Sequence, residues 1–272
     1  PTPPPAPTLA EYLAGWWGTG DWKVSNYRVR ELNVRRIIPI IGDIPLDELG
    51  VRHIRYMLAE LKKKGLAPSS RKQSLAVLRT ALGVAFAEDT IAHDPFKKWR
   101  RDDTPKSDKR ELQVLTGAQK AKLLSLNDEW TPFWQIQLAT GMRSGEALAL
   151  TWDDIDLPDV EGEEGLLHVR KSIHRRTKGS EVSDGWLGYG GSYYLDTPKT
   201  KTSRRPVRID PAVVQVFRDI KVRQEAEKER LGKAWSNKGG FVFTWGFGEP
   251  RLGDTAYRAL QRTLRRAQVP SA

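Results

Sequence analysis

The stretch Leu138–Asp156, LATGMRSGEALALTWDDID, decides the fold of the second half of the chain. Apolar residues flank its two glycines, which predicts a tight turn between two helices. Arg143 lies in that turn, at the start of the second helix, and Glu146 follows three residues later, where it can hold a buried guanidinium in place. Such a guanidinium can bind two phosphate oxygens and neutralise charge that grows in a pentacoordinate transition state. Taken alone, the two residues are better explained as an ordinary helix-surface ion pair worth ~0.2–0.5 kcal/mol.

The charge of the chain indicates a phosphate-bearing partner. The 272 residues include 45 Lys+Arg against 34 Asp+Glu, giving a net charge of +11 and a pI near 9.8. The excess is shared, because residues 1–103 already carry 17 basic and 12 acidic residues. A basic excess in two folded regions suits a protein that grips duplex nucleic acid from two sides.

The amino-acid composition excludes several classes of functional site. The chain has no cysteine, so disulfides, thiolate metal sites and a cysteine nucleophile are excluded. No apolar run approaches the ~18 residues of a membrane span, and the N-terminus lacks a signal-peptide pattern. We expect a soluble, intracellular protein in a reducing cytosol, with no membrane partner.

The first third of the chain is predicted to be helical. Residues 1–7 are proline-rich and read as an extended tether. Residues 8–98 form the first predicted domain. Thr8 and Glu11 match a capping box, and apolar residues then recur at helical spacing. Three further helical segments follow before residue 95, so this domain is predicted to contain four helices.

Residues 99–112 are charged, broken by a proline and without an apolar period, which predicts an interdomain linker. Residues 113–272 form the second predicted domain, which opens with a capping box of Thr116 and Gln119. Its helices are followed by short β-like runs, a Gly-rich loop and two more helices. These segments are Leu166–Ile173, Tyr193–Leu195, Pro206–Ile209, the loop Thr177–Ser192, Pro211–Leu231 and Asp254–Ala267. The predicted fold class is mainly α with a small antiparallel β-sheet.

Leu138–Asp156 resembles the first signature box of the tyrosine recombinase (phage integrase) family nearly position by position. The resemblance implies that Arg143 is a catalytic phosphate clamp supported by Glu146. Thr197–Ile209 looks like the family's β-hairpin, which bears a catalytic lysine that protonates the departing 5′-oxygen. We assign Lys199 to that role, with Lys201 as the alternative, because the register of a hairpin is not fixed by one sequence.

The N-terminal domain resembles the family's helical core-binding (SAM-like) domain, which makes residues 113–272 part of the α+β catalytic domain. The resemblance implies double-stranded DNA at an attachment or core site as the partner, and a tetramer of the complete protein on DNA. It also implies a prokaryotic or phage-encoded, nucleoid-associated cytoplasmic protein that uses no metal and no cofactor. Candidate DNA contacts are Lys62, Lys63, Lys64, Ser69, Ser70, Arg71, Lys72, Arg204 and Arg205.

The sequence departs from the family pattern after this point. The family has a second box with a His-x-x-Arg pattern and then a nucleophilic tyrosine, and no histidine of this chain is followed by an arginine three residues later. We therefore expect a chain that stops before the nucleophile and binds core-site DNA without cleaving it. Two alternatives are a non-catalytic DNA-binding regulator derived from an integrase and a relative of type IB topoisomerases. The compact N-terminal helical domain favours an integrase over a topoisomerase.

Overall fold

Four helices account for most of the N-terminal part of the chain. The structure is a computed structural model that describes residues 6–19, 24–106, 114–175, 193–196 and 204–270. The chain divides into two compact units, Pro1–Glu111 (unit 1) and Leu112–Ala272 (unit 2). The helices of unit 1 are α1 Leu9–Thr19, α2 Val24–Ile41, α3 Val51–Lys63 and α4 Pro68–Ala87.

The apolar stripes of these helices form one core, as their spacing predicts. Leu9, Leu13 and Trp16 of α1 share one buried cluster with Ile37 of α2 and Leu78 of α4. The predicted capping box at the start of α1 is present. The backbone N–H of Thr8 donates to the Glu11 carboxylate at 2.8 Å, and the backbone N–H of Glu11 donates back at 3.3 Å.

The first part of the expected linker is attached to unit 1. The indole N–H of Trp99 donates to the hydroxyl of Thr104 at 3.2 Å. Arg55 of α3 donates twice to the carboxylate of Asp103, at 3.0 and 2.8 Å. The composition of this segment is polar, but Asp103 has a partner 48 residues away in sequence, which no local pattern reveals. Residues 107–113 lie outside the described residues.

Unit 2 contains five α-helices and seven short strands within the ranges that the structure describes. The helices are α5 Gly117–Leu124, α6 Thr131–Thr140, α7 Ser144–Leu148, α8 Pro211–Leu231 and α9 Gly253–Arg266. The predicted capping box of Thr116 and Gln119 begins α5. Asn127, with φ at +43°, lies in the turn between α5 and α6. Asparagine tolerates this left-handed backbone better than most residues.

The strands of unit 2 form three small antiparallel sheets. They are β1 Ile155–Asp156, β2 Gly165–Val169, β3 Ser172–Arg175, β4 Tyr193–Asp196, β5 Arg205–Ile209, β6 Thr244–Trp245 and β7 Glu249–Pro250. The first sheet has the order β1-β2-β5, and β3-β4 and β6-β7 are separate pairs. The register of the first sheet puts Val169 opposite Arg205 and Leu167 opposite Val207. The predicted loop Thr177–Ser192 lies outside the described residues.

The predicted fold class, mainly α with small antiparallel sheets, is confirmed. The one long β-like run expected from Leu166 to Ile173 is two strands, because β2 pairs with β5 and β3 pairs with β4. The core of unit 2 lies between α6, α8, α9 and the first sheet, around Phe133, Phe217 and Phe241. Among the described residues, no helix combines the length and the apolar character needed to cross a membrane.

Candidate functional site

The turn between α6 and α7 projects Arg143 from the body of unit 2. Gly141 ends α6 with φ at +63°, a left-handed conformation that favours glycine. The side-chain amide of Gln137 braces the turn by donating to the carbonyl of Met142 at 3.2 Å and to the hydroxyl of Ser144 at 2.8 Å. Arg143 then takes the extended conformation of an N-cap residue before α7. The sequence prediction of Arg143 at the start of a helix is therefore confirmed.

Gly145 lets α7 lie directly against strand β3. A Cβ atom at this position would lie 2.6 Å from the hydroxyl oxygen of Ser172 and 3.3 Å from the carbonyl oxygen of Ile173. The second glycine of the turn is thus required by close approach, because its own backbone is an ordinary helical one. This contact fixes α7, and with it Arg143 and Glu146, relative to strand β3.

Glu146 is the buried residue of the site. Its side chain is only 5% exposed, and its carboxylate accepts three hydrogen bonds. The backbone N–H of Arg143 donates to Oε2 at 3.1 Å, and Nη1 of Arg143 donates to Oε1 at 2.8 Å. The third donor is Nη2 of Arg205 on β5, at 3.1 Å from Oε2. One carboxylate therefore holds two guanidinium groups that are 62 residues apart in sequence.

Hydrogen bonds determine the ionisation of this carboxylate. Burial alone would raise the pKa of Glu146, but the hydrogen bonds from the Arg143 backbone and from both guanidinium groups outweigh it and lower the pKa below its usual value. Glu146 is accordingly an anion at neutral pH. Its charge is matched by two cations, which leaves the three-residue cluster with a net charge of about +1.

Arg143 differs from the expectation of a buried guanidinium. Its side chain is 77% exposed, because the N-cap backbone directs it outwards and only Nη1 reaches the carboxylate. Within the described residues, its remaining N–H groups have no hydrogen-bond partner. They face solvent on a side chain that is already anchored at one end. This geometry leaves donors available for an anion from outside, such as a phosphate.

Most of the remaining residues of the stretch have structural roles. Asp154 is buried, and its carboxylate accepts from the backbone N–H and hydroxyl of Thr151 and from Arg170 at 3.1 Å. The indole N–H of Trp152 donates to the side chain of Gln224 on α8 at 2.9 Å. The motif therefore builds the α7–β1 junction, and Arg143 is its one cationic side chain.

The predicted lysine-bearing hairpin is described only at its C-terminal end. Lys199 and Lys201 lie in the range 197–203, outside the described residues. Arg204, immediately before β5, is exposed. Arg205, which is also predicted to contact phosphate, donates from Nη2 to the carboxylate of Glu146 at 3.1 Å. The Arg205–Glu146 pair was not foreseen, since nothing local in the sequence indicates it.

The candidate DNA contacts of unit 1 lie where α3 ends and α4 begins. Lys62, Lys63 and Lys64 are exposed, and Lys63 forms an ion pair with Glu60 at 2.6 Å. Gly65, with φ at +77°, ends this stretch as its position after the lysines predicts. The remaining candidates, Ser69, Ser70, Arg71 and Lys72, lie in the first turns of α4. Lys72 and Ser69 are exposed, whereas Ser70 and Arg71 are half-buried.

Helix α9 has a basic face that sequence reasoning did not single out. Arg258, Arg262, Arg265 and Arg266 are all exposed, while Ala259 and other small or apolar residues face the core. The spacing of these arginines, at i, i+4, i+7 and i+8, is a signal that the sequence alone provides. No group of three or more His, Cys, Asp or Glu able to hold a metal ion occurs among the described residues.

Sequence comparison relates the chain to DNA recombinases. No protein-family profile matches it. It is 28% identical over 222 residues to a "Tyrosine recombinase XerC-like" of Caldanaerobacter subterraneus subsp. tengcongensis, covering 78% of this chain and 54% of the relative. It is 25% identical over 213 residues to the "Integrase" of Mycobacterium phage L5, covering 78% and 52%. The chain thus spans about half the length of the curated relatives it matches.

Solved structures share the fold. The integrase of transposon Tn1549, in complex with a circular intermediate DNA, superposes with a TM-score of 0.76 at 21% identity, covering 97% of this chain and 79% of that one. A lambda integrase tetramer bound to a Holliday junction gives a TM-score of 0.62 at 19% identity, covering 98% and 65%. Sequence and fold together support the tyrosine recombinase family suggested by Leu138–Asp156.

Proposed function

We propose that this chain binds duplex DNA as part of a site-specific recombinase. The proposal takes membership of the tyrosine recombinase family as its premise. The chain's substrate is an attachment or core site, and the chain acts on DNA in a prokaryotic cytoplasm. In the complete protein the reaction is strand exchange through a 3′-phosphotyrosyl bond. That reaction uses no metal or nucleotide cofactor.

The observation that carries the proposal is the arrangement of Arg143 and Glu146. Arg143 is held at one edge by a buried carboxylate, yet its side chain is 77% exposed. A guanidinium that is already oriented loses less conformational entropy when it binds a phosphate. An ordinary surface ion pair lacks this feature, because both partners of such a pair are mobile and hydrated.

Charge on the rest of the chain supports a DNA partner. The net charge is +11, and exposed cations occur at the α3–α4 junction of unit 1 and along α9 of unit 2. Each lysine or arginine that neutralises a phosphate releases condensed counterions, which favours binding without regard to base sequence. We propose that these two surfaces contact the DNA backbone in addition to Arg143.

In this mechanism Arg143 binds two non-bridging oxygens of the scissile phosphate and stabilises the charge that develops on them. Lys199, or Lys201 as the alternative, donates a proton to the departing 5′-oxygen. We propose that none of the tyrosines in the chain acts as the nucleophile. Without a nucleophile the phosphodiester is bound but not cut, so this chain holds core-site DNA without cleaving it.

Self-association belongs to the same proposal. One structural relative is a lambda integrase tetramer bound to a Holliday junction. We propose that the complete protein related to this chain also assembles on DNA, with each copy supplying one phosphate clamp.

The experiment has two parts, both with the full 272-residue chain. Electrophoretic mobility shift on a duplex that spans the integration junction should give a complex, and Arg143→Ala should weaken it. Denaturing electrophoresis of the same mixture should show no covalent DNA–protein adduct. Absence of a complex would refute DNA binding, and an adduct would refute the proposed lack of cleavage. The coding frame beyond Ala272 then separates part of a recombinase from a stand-alone regulator.

A further inference from the structure

Arg205 follows the predicted lysine-bearing segment and is directed at a buried carboxylate. Its side chain is 33% exposed, and its Nη2 donates to Oε2 of Glu146 at 3.1 Å. Two arginines close to Arg205 in sequence behave differently. Arg204 is exposed, and the side chain of Arg208 is 85% exposed. Of these three arginines, Arg205 is the one directed at the carboxylate that anchors Arg143.

We propose that Arg205 is a positioning residue, which acts on the phosphate site through Glu146 and does not itself contact DNA. The proposal rests on the proposed function, since it concerns the Arg143 phosphate clamp. Its first basis is geometric. Oε1 of Glu146 binds Arg143, whereas Oε2 binds both the Arg143 backbone and Arg205, so Arg205 fixes the rotation of the carboxylate that Arg143 binds.

The second basis is the charge of the cluster. A lone Arg143–Glu146 pair would be neutral, and the buried carboxylate would compete with a phosphate for the guanidinium. With Arg205 present, the Glu146 carboxylate keeps a second guanidinium partner when Arg143 binds a phosphate. Such a cluster can bind an external anion while Glu146 stays satisfied, because a buried carboxylate needs its hydrogen bonds filled.

The test is a double-mutant cycle between Arg143 and Arg205. Binding of the full chain to a mixed-sequence duplex of about 30 base pairs, roughly three helical turns, is measured by fluorescence anisotropy. Arg143→Ala should weaken binding about tenfold, the loss expected for one charge-assisted contact. Arg205→Met should weaken it by a similar factor. The double variant should bind no more weakly than Arg143→Ala alone.

Salt dependence and two matched variants complete the test. Arg205→Met should lower the slope of log affinity against log salt concentration by no more than Arg143→Ala does. Arg205→Lys keeps a cation facing Glu146, so its affinity for DNA should be within about threefold of that of the unmodified chain. Arg208→Met removes an exposed arginine of the same strand and controls for charge. The fold-losses in DNA affinity caused by Arg208→Met and by Arg143→Ala should therefore multiply in the double variant. Thermal unfolding of each variant checks that it is folded.

The outcomes separate the inference from the function. The affinity losses from Arg143→Ala and Arg205→Met could instead multiply in the double variant, with its salt slope lower by a further ~0.9 than that of Arg143→Ala alone. In that case Arg205 contacts phosphate directly and the inference is wrong. If Arg205→Met has no effect while Arg143→Ala does, the inference is also wrong, but the proposed clamp stands. If Arg143→Ala has no effect, the clamp itself is wrong and the inference falls with it.

Discussion

Replacing Glu146 by glutamine should destabilise unit 2 while leaving unit 1 unchanged. The substitution keeps the shape of the side chain and removes its charge, so no cavity forms. Glu146 accepts bonds from the exposed guanidinium of Arg143, from the Arg143 backbone N–H and from the two-thirds-buried Arg205. The exposed contact is worth ~0.5 kcal/mol, and the two at Oε2 are worth ~1 kcal/mol each.

The expected loss in the free energy of unfolding is therefore about 2 kcal/mol, since the glutamine oxygen retains part of these bonds. The assay is urea unfolding at neutral pH, followed by tryptophan fluorescence and far-ultraviolet circular dichroism. The transition of unit 1 is the internal reference, because Glu146 lies in unit 2. A loss below ~0.5 kcal/mol would refute the argument and return the pair to an ordinary helix-surface contact.

The pH dependence of the same variant follows from the lowered pKa of Glu146. A carboxylate whose pKa is lower in the folded state stabilises the fold above its unfolded pKa of about 4.3, and this contribution is lost as the pH falls through the folded value. The stability difference between the unmodified chain and Glu146→Gln should therefore be largest near pH 7 and shrink below about pH 4. A constant difference across this range would contradict the assigned ionisation.

Three further substitutions test the architecture around the site by urea unfolding of unit 2. Gly145→Ala should lower the free energy of unfolding by about 1–3 kcal/mol, because its Cβ would meet the Ser172 hydroxyl. Adding Ser172→Ala should restore part of that loss. A Gly145→Ala variant as stable as the unmodified chain would contradict the close approach. Asp154→Ala should lower the free energy of unfolding by about 2–4 kcal/mol, because it leaves buried hydrogen-bonding groups unpaired. The control Asp153→Ala, at an exposed neighbour, should change it by less than ~0.5 kcal/mol. Equal effects of the two substitutions would contradict the buried network. Thr116→Ala should cost about 1 kcal/mol through loss of the N-cap of α5, and an unchanged midpoint would mean that the cap contributes nothing.

Local chemistry made much of the fold predictable from the sequence. Asp210 followed by Pro211 begins α8 as an N-cap and N1 pair should, and α8 spans the predicted Pro211–Leu231. The capping boxes at Thr8 and Thr116 involve residues three apart, which a short window of sequence contains. The same holds for the Gly141 turn and for Arg143 at the start of a helix.

Partners distant in sequence account for what the sequence did not predict. Arg205 lies 59 residues from Glu146, and both Arg170–Asp154 and Arg55–Asp103 likewise join different elements. A charged residue reads as exposed until its partner is known, so the pairing of Arg205 with Glu146 was not predicted. Arg143 was expected to be buried, but its extended N-cap backbone leaves its side chain 77% exposed. The sheet was predicted as one element for the same reason, since strand pairing depends on contacts across the chain.

The claim that this chain neutralises DNA phosphates, with Arg143 as one of the neutralising groups, is tested most directly by the salt dependence of duplex binding. The logarithm of the binding constant should fall linearly with the logarithm of the salt concentration, with a slope of about 0.9 per neutralised phosphate. Arg143→Ala should reduce that slope by about one such increment. A flat response of the unmodified chain, or a slope that Arg143→Ala leaves unchanged, would contradict the account.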